Sequence, residues 1–155
     1  MSGLIPIRAL GYVRGGRSSP EDDGWNGVEA KIELDPAQFG PEALDGLEEF
    51  SHVEVLFHFH AASKEEKAAR HPRGNAAWPK VGIFAQRGKD RPNHIGATIC
   101  ALLSVDGTTL RVRGLDAIDG TPVIDIKPVM KGFLPRGEIR EPPWAAELMA
   151  RYWSA

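Results

Sequence analysis

The stretch HVEVLFHFH, residues 52–60, alternates apolar and polar side chains, with Leu56 the one break. Successive strand residues point to opposite faces, so Val53, Val55, Phe57 and Phe59 form one apolar row, while His52, Glu54, His58 and His60 share the other. This pattern predicts a strand with one face in a core. Outward from it the same period recurs, with breaks, in LIPIRALGYV (4–13), VEAKIEL (28–34), VGIFAQ (81–86), IGATICALLSV (95–105), TLRVRGL (109–115) and PVIDIKPV (122–129). VDGT (105–108) supplies the Asp-Gly signal of a hairpin between two of these runs. Helical spacing is confined to a short turn near PEALDGLEEF (41–50) and to PPWAAELMARYW (142–153), which begins on prolines. Six or seven short strands without strand–helix alternation predict an antiparallel barrel or sandwich and argue against a doubly wound sheet.

The 155 residues suffice for one domain with a sizeable core and are too few for two. Hydrophobic residues make up 42% and charged residues 26%, the balance of an ordered soluble chain, and no apolar run approaches the roughly 20 residues of a membrane span. The opening MSGLIPIRALGYVRGG lacks the charged-then-apolar pattern of a signal peptide. A lone Cys100 excludes an internal disulfide and suits a reducing compartment, so the cytoplasm is the expected location. Net charge is −2, which argues against indiscriminate affinity for nucleic acid. The sign is nevertheless uneven: residues 1–63 carry 4 basic and 11 acidic side chains, residues 64–91 carry 8 and 3, and residues 92–155 carry 7 of each. The positive segment includes AASKEEKAARHPRGNAAWPK (61–80), longer than an ordinary connection, which reads as a lid with a short helix near Lys64–Arg70.

No P-loop, dinucleotide fingerprint, nucleophile elbow or C-x-x-C is present; GYVRGG (11–16) has neither the spacing nor the following helix. His52, Glu54, His58 and His60 on one strand face, with His71 beyond, offer a metal set, although the same residues suit a polar face without metal. FAQRGKDRPNHIG (84–96) is a basic turn in which Arg87 suits carboxylate or phosphate, Pro92 restrains the chain, and Gly96 admits a close backbone approach by a ligand. An ordinary charged hairpin has the same composition. GLDAIDGTPVIDIKP (114–128) gathers Asp116, Asp119 and Asp125 near a Gly-Thr-Pro turn, with Asp125 and Lys127 on one face and able to pair.

LEEFSHVEVLFHFH (47–60), GIFAQRGKDRPNHIG (82–96) and LDAIDGTPVIDIKPVM (115–130), in this order and spacing, resemble the three signature blocks of the TsaA-like (YaeB-like, VirR-like) family over about residues 4–134. The resemblance implies an all-β fold, a small antiparallel β-barrel over residues 1–134. Residues 135–155 are then a tail whose helix packs on the barrel or on a partner. It also implies S-adenosylmethionine as cofactor, a homodimer, tRNA as partner, and methyl transfer to N6 of a threonylcarbamoyl-modified adenosine beside the anticodon. Carried onto this chain, the family's cofactor contacts fall on Phe59, His60, Arg87, Ala97, Arg113, Gly114, Leu115 and Asp116. Arg87 suits the methionine carboxylate, Phe59 a wall for the adenine, and Asp119 is the candidate catalytic acceptor of the N6 proton. The chain departs from the family in three places and in length. Gln86 stands in FAQR where FATR is usual, His94 stands in PNHIG where PNPIG is usual, and SSPEDDGWNG (18–27) shows no Pro-Arg-Gln block. Its length predicts a short form without the additional C-terminal domain of longer members. The alternatives are a non-catalytic S-adenosylmethionine-binding protein, a small-molecule methyltransferase, and a metal-dependent hydrolase built on the His52, His58 and His60 face.

Overall fold

In the computed structural model, which describes residues 3–154, alternate side chains along the strands leave solvent. Ala30, Ile32 and Leu34 of β2 (Glu29–Leu34) are buried, while Glu29, Lys31 and Glu33 stay out. The same alternation buries Gly11 and Val13 of β1 (Gly11–Arg14), Val53, Val55 and Phe57 of β3 (His52–His58), and Leu110 and Val112 of β7 (Thr109–Arg113). β6 (Ile95–Asp106) is long enough to serve two neighbours, pairing with β3 along its first half and with β7 along its second. β8 (Pro122–Pro128) lies between β3 and β1. The six strands therefore join in the order β1-β2-β7-β6-β3-β8 and return to β1, every pair antiparallel. The closed barrel that the sequence resemblance implies is present, and closure removes the open edges that an isolated sheet would expose.

Val13, Ile32, Val53, Val55, Leu110, Val112 and Val123 are fully buried inside it. Each contributes roughly 1.5–3 kcal/mol relative to an exposed side chain. The strands bend to close at two irregularities, one between Leu56 and Phe57 against β8 and one between Leu102 and Ser104 against β7. The tightest crossing is at Gly11, which faces Leu34 on one side and Val123 on the other. A Cβ there would lie 2.2 Å from the Glu33 carbonyl oxygen, so only glycine fits.

Outside the barrel, β4 (Ala69–Arg70) and β5 (Val81–Gly82) form a two-stranded ladder at the base of the 61–80 excursion, and α1 (Pro143–Met149) is the single α-helix among the described residues. Three expectations are corrected here. Residues 4–10 join no ladder as a strand; the Leu10 N–H reaches the Val123 carbonyl at 2.8 Å, and Leu4, Ile5 and Ile7 are exposed. VGIFAQ is two strand residues followed by a 3-10 turn over Ile83–Ala85, which buries Ile83 and turns Phe84 outward, so its alternation reflects the turn. No helix forms over Lys64–Arg70: helical charge pairs are worth about 0.2–0.5 kcal/mol each, and this backbone bonds elsewhere, Ala68 to Ile83 and Lys67 to Asp90. The hairpin at VDGT is as expected, with Asp106 opposite Thr109 and Gly107 at φ +60°. No helix among the described residues is long and apolar enough to cross a membrane.

Gly11→Ala is expected to lower stability by about 1–3 kcal/mol, since the new methyl must displace backbone. Urea denaturation of the variant measures this; unchanged stability would mean that β1 does not cross β2 so closely.

Candidate functional site

The inward row of β6 begins with Gly96, Thr98 and Cys100, all buried. A Cβ on Gly96 would sit 2.6 Å from the Phe57 ring and 2.8 Å from that of Phe59. The close approach that Gly96 permits is thus by the protein's own aromatic rings, which meet edge to face at 5.3 Å, and not by a ligand. Beyond His58 the strand ends. The Phe59 N–H donates to the His94 carbonyl at 2.8 Å, the chain turns, and His60 Nε2 comes to rest 3.8 Å from where a Gly120 Cβ would lie.

That turn removes His60 from the histidine row. His52 and His58 are six residues apart on one strand, about 20 Å at roughly 3.4 Å per residue. His52 pairs with the Ser51 hydroxyl at 2.6 Å, His58 lies edge-on to His94, and His71 is held by the Trp78 carbonyl at 2.7 Å. Among the described residues no three His, Cys, Asp or Glu side chains are grouped to hold a metal ion. The metal-dependent alternative therefore has no geometric basis.

Asp116 reaches the same end of the barrel from the other side. Arg113 is exposed at the end of β7, Gly114 turns the chain at φ +84° while its N–H donates to the Val28 carbonyl at 2.9 Å, and Leu115 anchors the segment in the core. The Asp116 carboxylate then accepts the Thr98 hydroxyl on one oxygen and the Tyr152 phenol on the other. Arg87 donates to the Ala97 carbonyl at 2.5 Å and remains exposed. Phe59 and His60, Arg87, Ala97, and the Gly114–Asp116 turn, which come from separate stretches of chain, are thereby drawn to one rim. Asp119 lies on its edge: it is exposed, its Oδ1 accepts the Gly15 N–H at 2.9 Å, and its own N–H donates to the Arg17 carbonyl at 2.8 Å.

The basic turn uses much of its charge on its own architecture. Arg91 donates to the Gln86 carbonyl at 2.7 Å, and Asp90 pairs with Arg70 at 2.9 Å. Buried Gln86 donates to the carbonyls of Arg70 and Val81, both at 3.0 Å, and so fastens the turn to the excursion. His94 sits at φ +49°, which a proline ring cannot reach, so the departure from PNPIG accompanies a backbone that only a non-proline residue allows. Among the described residues none of Arg87, Lys89 and Arg91 forms an ion pair; Arg91 is taken up by the Gln86 carbonyl, which leaves Arg87 and Lys89 as the more available cations of this turn. On the excursion, Lys67, Arg70, His71, Arg73 and Lys80 line an open cleft of about 570 Å³. The acidic PEDDG stretch lies against it, Arg73 meeting Asp23 at 3.1 Å and Asp22 at 4.0 Å. Asp125 and Lys127 pair with each other at 2.8 Å, as their shared face suggests.

Nothing in the sequence singles out Thr98 or Tyr152 as a partner of Asp116. Thr98 reads as an ordinary strand residue, and the Tyr152 contact joins positions 36 residues apart. Burial, followed by the Asp116 charge and the hydrogen bond to it, pushes the Tyr152 phenol up, against the pull of Arg73 and Arg87; the group is a protonated donor. Burial and then the Asp116 charge raise Cys100 from 9.0 to about 12, so it is an inert thiol rather than a nucleophile.

The family model of the tRNA-methyltransferase O N-terminal domain matches residues 17–133. The chain belongs to this family. One relative, a probable S-adenosyl-L-methionine-binding protein of Methanothermobacter thermautotrophicus, is 41% identical over 128 residues, which cover 80% of this chain and 89% of the relative. The human tRNA (adenine(37)-N6)-methyltransferase is 42% identical over 102 residues, 64% of this chain and 23% of that protein. The crystal structure of TrmO from Pseudomonas aeruginosa superposes with a TM-score of 0.72 at 31% identity, covering 88% of this chain and 61% of that one. The chain thus spans less than two thirds of that solved TrmO structure and about a quarter of the human methyltransferase. The tail that carries Tyr152 lies outside the stretch matched by the tRNA-methyltransferase O N-terminal domain.

In the folded protein Cys100 should resist thiol reagents at pH 8–9 and react only after denaturation. Because its folded value lies above its unfolded one, the folded state holds the extra proton, and stability should fall as pH rises from about 9 towards 12. Rapid labelling of native protein would contradict the burial.

Proposed function

We propose that this protein binds S-adenosylmethionine at the barrel rim and transfers its methyl group to N6 of an adenosine in tRNA. The observation that carries this reading is the convergence of Phe59, His60, Arg87, Ala97 and Gly114–Asp116, the positions at which the family resemblance puts its cofactor contacts, around one network of hydrogen bonds. The donor set fits the cofactor. Arg87 keeps N–H groups beyond the one on Ala97 for a carboxylate, Asp116 keeps acceptor sites beyond the two hydroxyls, and Phe59 offers an aromatic ring at the edge. Exposed Arg113 adds positive charge next to the turn. S-adenosylmethionine, when bound, supplies a methyl group on positively charged sulfur, a leaving group that needs no acid. What remains for the protein is to hold the acceptor in line, exclude water and take up the proton that the amine sheds. Asp119, exposed at the rim, is the proposed acceptor of that proton.

A second reading, S-adenosylmethionine binding without catalysis, is favoured by one observation: an Asp119 oxygen already accepts the Gly15 N–H, and its turn is fixed on both sides. The names of two relatives bear on the choice, one a probable S-adenosyl-L-methionine-binding protein and the other a tRNA methyltransferase. The proposed partner surface for tRNA is the excursion, where Lys67 and Lys80 are free of the acidic side chains that hold Arg70 and Arg73. We further propose a homodimer in the cytoplasm; Leu4, Ile5 and Phe133, each more than four-fifths exposed, are apolar surface suited to a second copy.

Calorimetric titration with S-adenosylmethionine, followed by transfer of labelled methyl to tRNA, tests the reading. Arg87→Ala should weaken cofactor binding more than tenfold, and an unchanged affinity would remove Arg87 from the site. Affinity for tRNA should fall steeply between about 50 and 200 mM salt; salt-independent binding, or methyl transfer to small molecules alone, would overturn the choice of tRNA.

A further inference from the structure

The last described residues are fastened to the barrel at several points. Gly24 and Trp25 N–H groups donate to the Arg151 and Tyr152 carbonyls at 3.1 and 2.9 Å, and Trp78 of the excursion donates to Glu147 at 2.7 Å. Trp25, beneath this segment, is 2% exposed, and Arg17 lies over its ring at 4.4 Å. The segment thus bridges the 18–27 loop and the excursion, and the side chain it delivers at the rim is Tyr152, whose phenol reaches Asp116.

Asp116 is then held on both sides, by Thr98 from β6 and by Tyr152 from the tail. A carboxylate has about four acceptor positions, so two stay open after these bonds. Both hydroxyls are donors to it, which fixes its plane. Arg87 is held on the Ala97 carbonyl and Asp116 on the Thr98 hydroxyl, so a cation and an anion are fastened to consecutive residues of β6. Opposite charges anchored this near one another are complementary to the two ends of an amino-acid zwitterion.

We propose that Tyr152 is a positioning residue of the cofactor site: with Thr98 it aims Asp116 at the ammonium of the methionine moiety, while Arg87 takes the carboxylate. This inference rests on the reading that the rim binds S-adenosylmethionine, and it makes the tail, which lies outside the matched family domain, part of the binding site. A hydroxyl that merely stabilised the fold would affect every ligand alike. One that orients Asp116 towards an ammonium affects only ligands that carry one.

The test compares S-adenosylmethionine with 5′-methylthioadenosine, which keeps the adenosine and a methylated sulfur but lacks the amino-acid end. Calorimetry of the full chain and of Tyr152→Phe should show about a tenfold weaker affinity for S-adenosylmethionine in the variant, the size of one charge-assisted hydrogen bond, and a change of less than twofold for 5′-methylthioadenosine. Thr98→Val, which removes the opposing hydroxyl, should show the same selective loss, and it serves as the second arm if Tyr152→Phe does not fold. Equal losses for both ligands, or none, would overturn the role of Tyr152 while leaving the cofactor reading intact. An unaltered chain that binds neither ligand would overturn the cofactor reading itself.

Discussion

The contact on which the site depends is that of two phenylalanine rings with a residue that has no side chain. Phe57 closes the core at one end of the barrel, and Phe59 stacks edge-on against it over Gly96. Because Gly96 lets the rings lie on the backbone of β6, β3 can end there and the chain can turn at His60. The next inward positions of β6 then fall to Thr98 and Cys100. Thr98 is a buried hydroxyl at the edge of an apolar core, and such a group requires a partner. Asp116 is that partner, and its charge adds to burial in raising the neighbouring Cys100. Core packing and rim chemistry are thus consecutive positions of one strand.

Around this end the chain assembles polar groups from distant segments, with each borrowed charge balanced locally. Arg73 is set against Asp22 and Asp23, Arg70 against Asp90, and Arg17 is stacked on Trp25. A pair with a largely exposed partner, such as Arg73 with Asp22, contributes little to stability, whereas Arg70 and Asp90 are partly buried. Their effect is to decide which cations remain available. Arg87 is left with one carbonyl contact and open N–H groups at the rim, while Lys67 and Lys80 face the cleft. The positive segment visible in the sequence is therefore a mixture of structural arginines and free cations, which composition alone does not separate.

What the sequence made legible follows the range of the forces involved. β2, β3, β6, β7, β8 and the Asp106–Thr109 hairpin could be read because alternation and turn chemistry are local. Residues 4–10 carry the same alternation but lack a partner strand beyond Leu10, and VGIFAQ alternates because a 3-10 turn also buries Ile83 and exposes Phe84. Periodicity does not distinguish these cases. Signature blocks singled out Phe59, Arg87, Ala97 and Asp116, which the fold brings to one rim, the site proposed for the cofactor. They gave the wrong cause for Gly96, whose neighbours are aromatic rings, and no warning of Tyr152, which meets Asp116 only after the tail has crossed the barrel end. The histidine face failed for a geometric reason, since His52 and His58 stand six positions apart on the strand and the chain turns before His60.

The central claim is that one end of this barrel, and no other surface, receives S-adenosylmethionine. Two-dimensional amide spectra of the labelled protein, recorded as the cofactor is added, test it most directly. The account predicts saturable shifts centred on Phe59, His60, Ala97 and Gly114–Asp116, with Tyr152 among them and the opposite end of the barrel silent. Shifts confined to other residues, or none at millimolar cofactor, would contradict it.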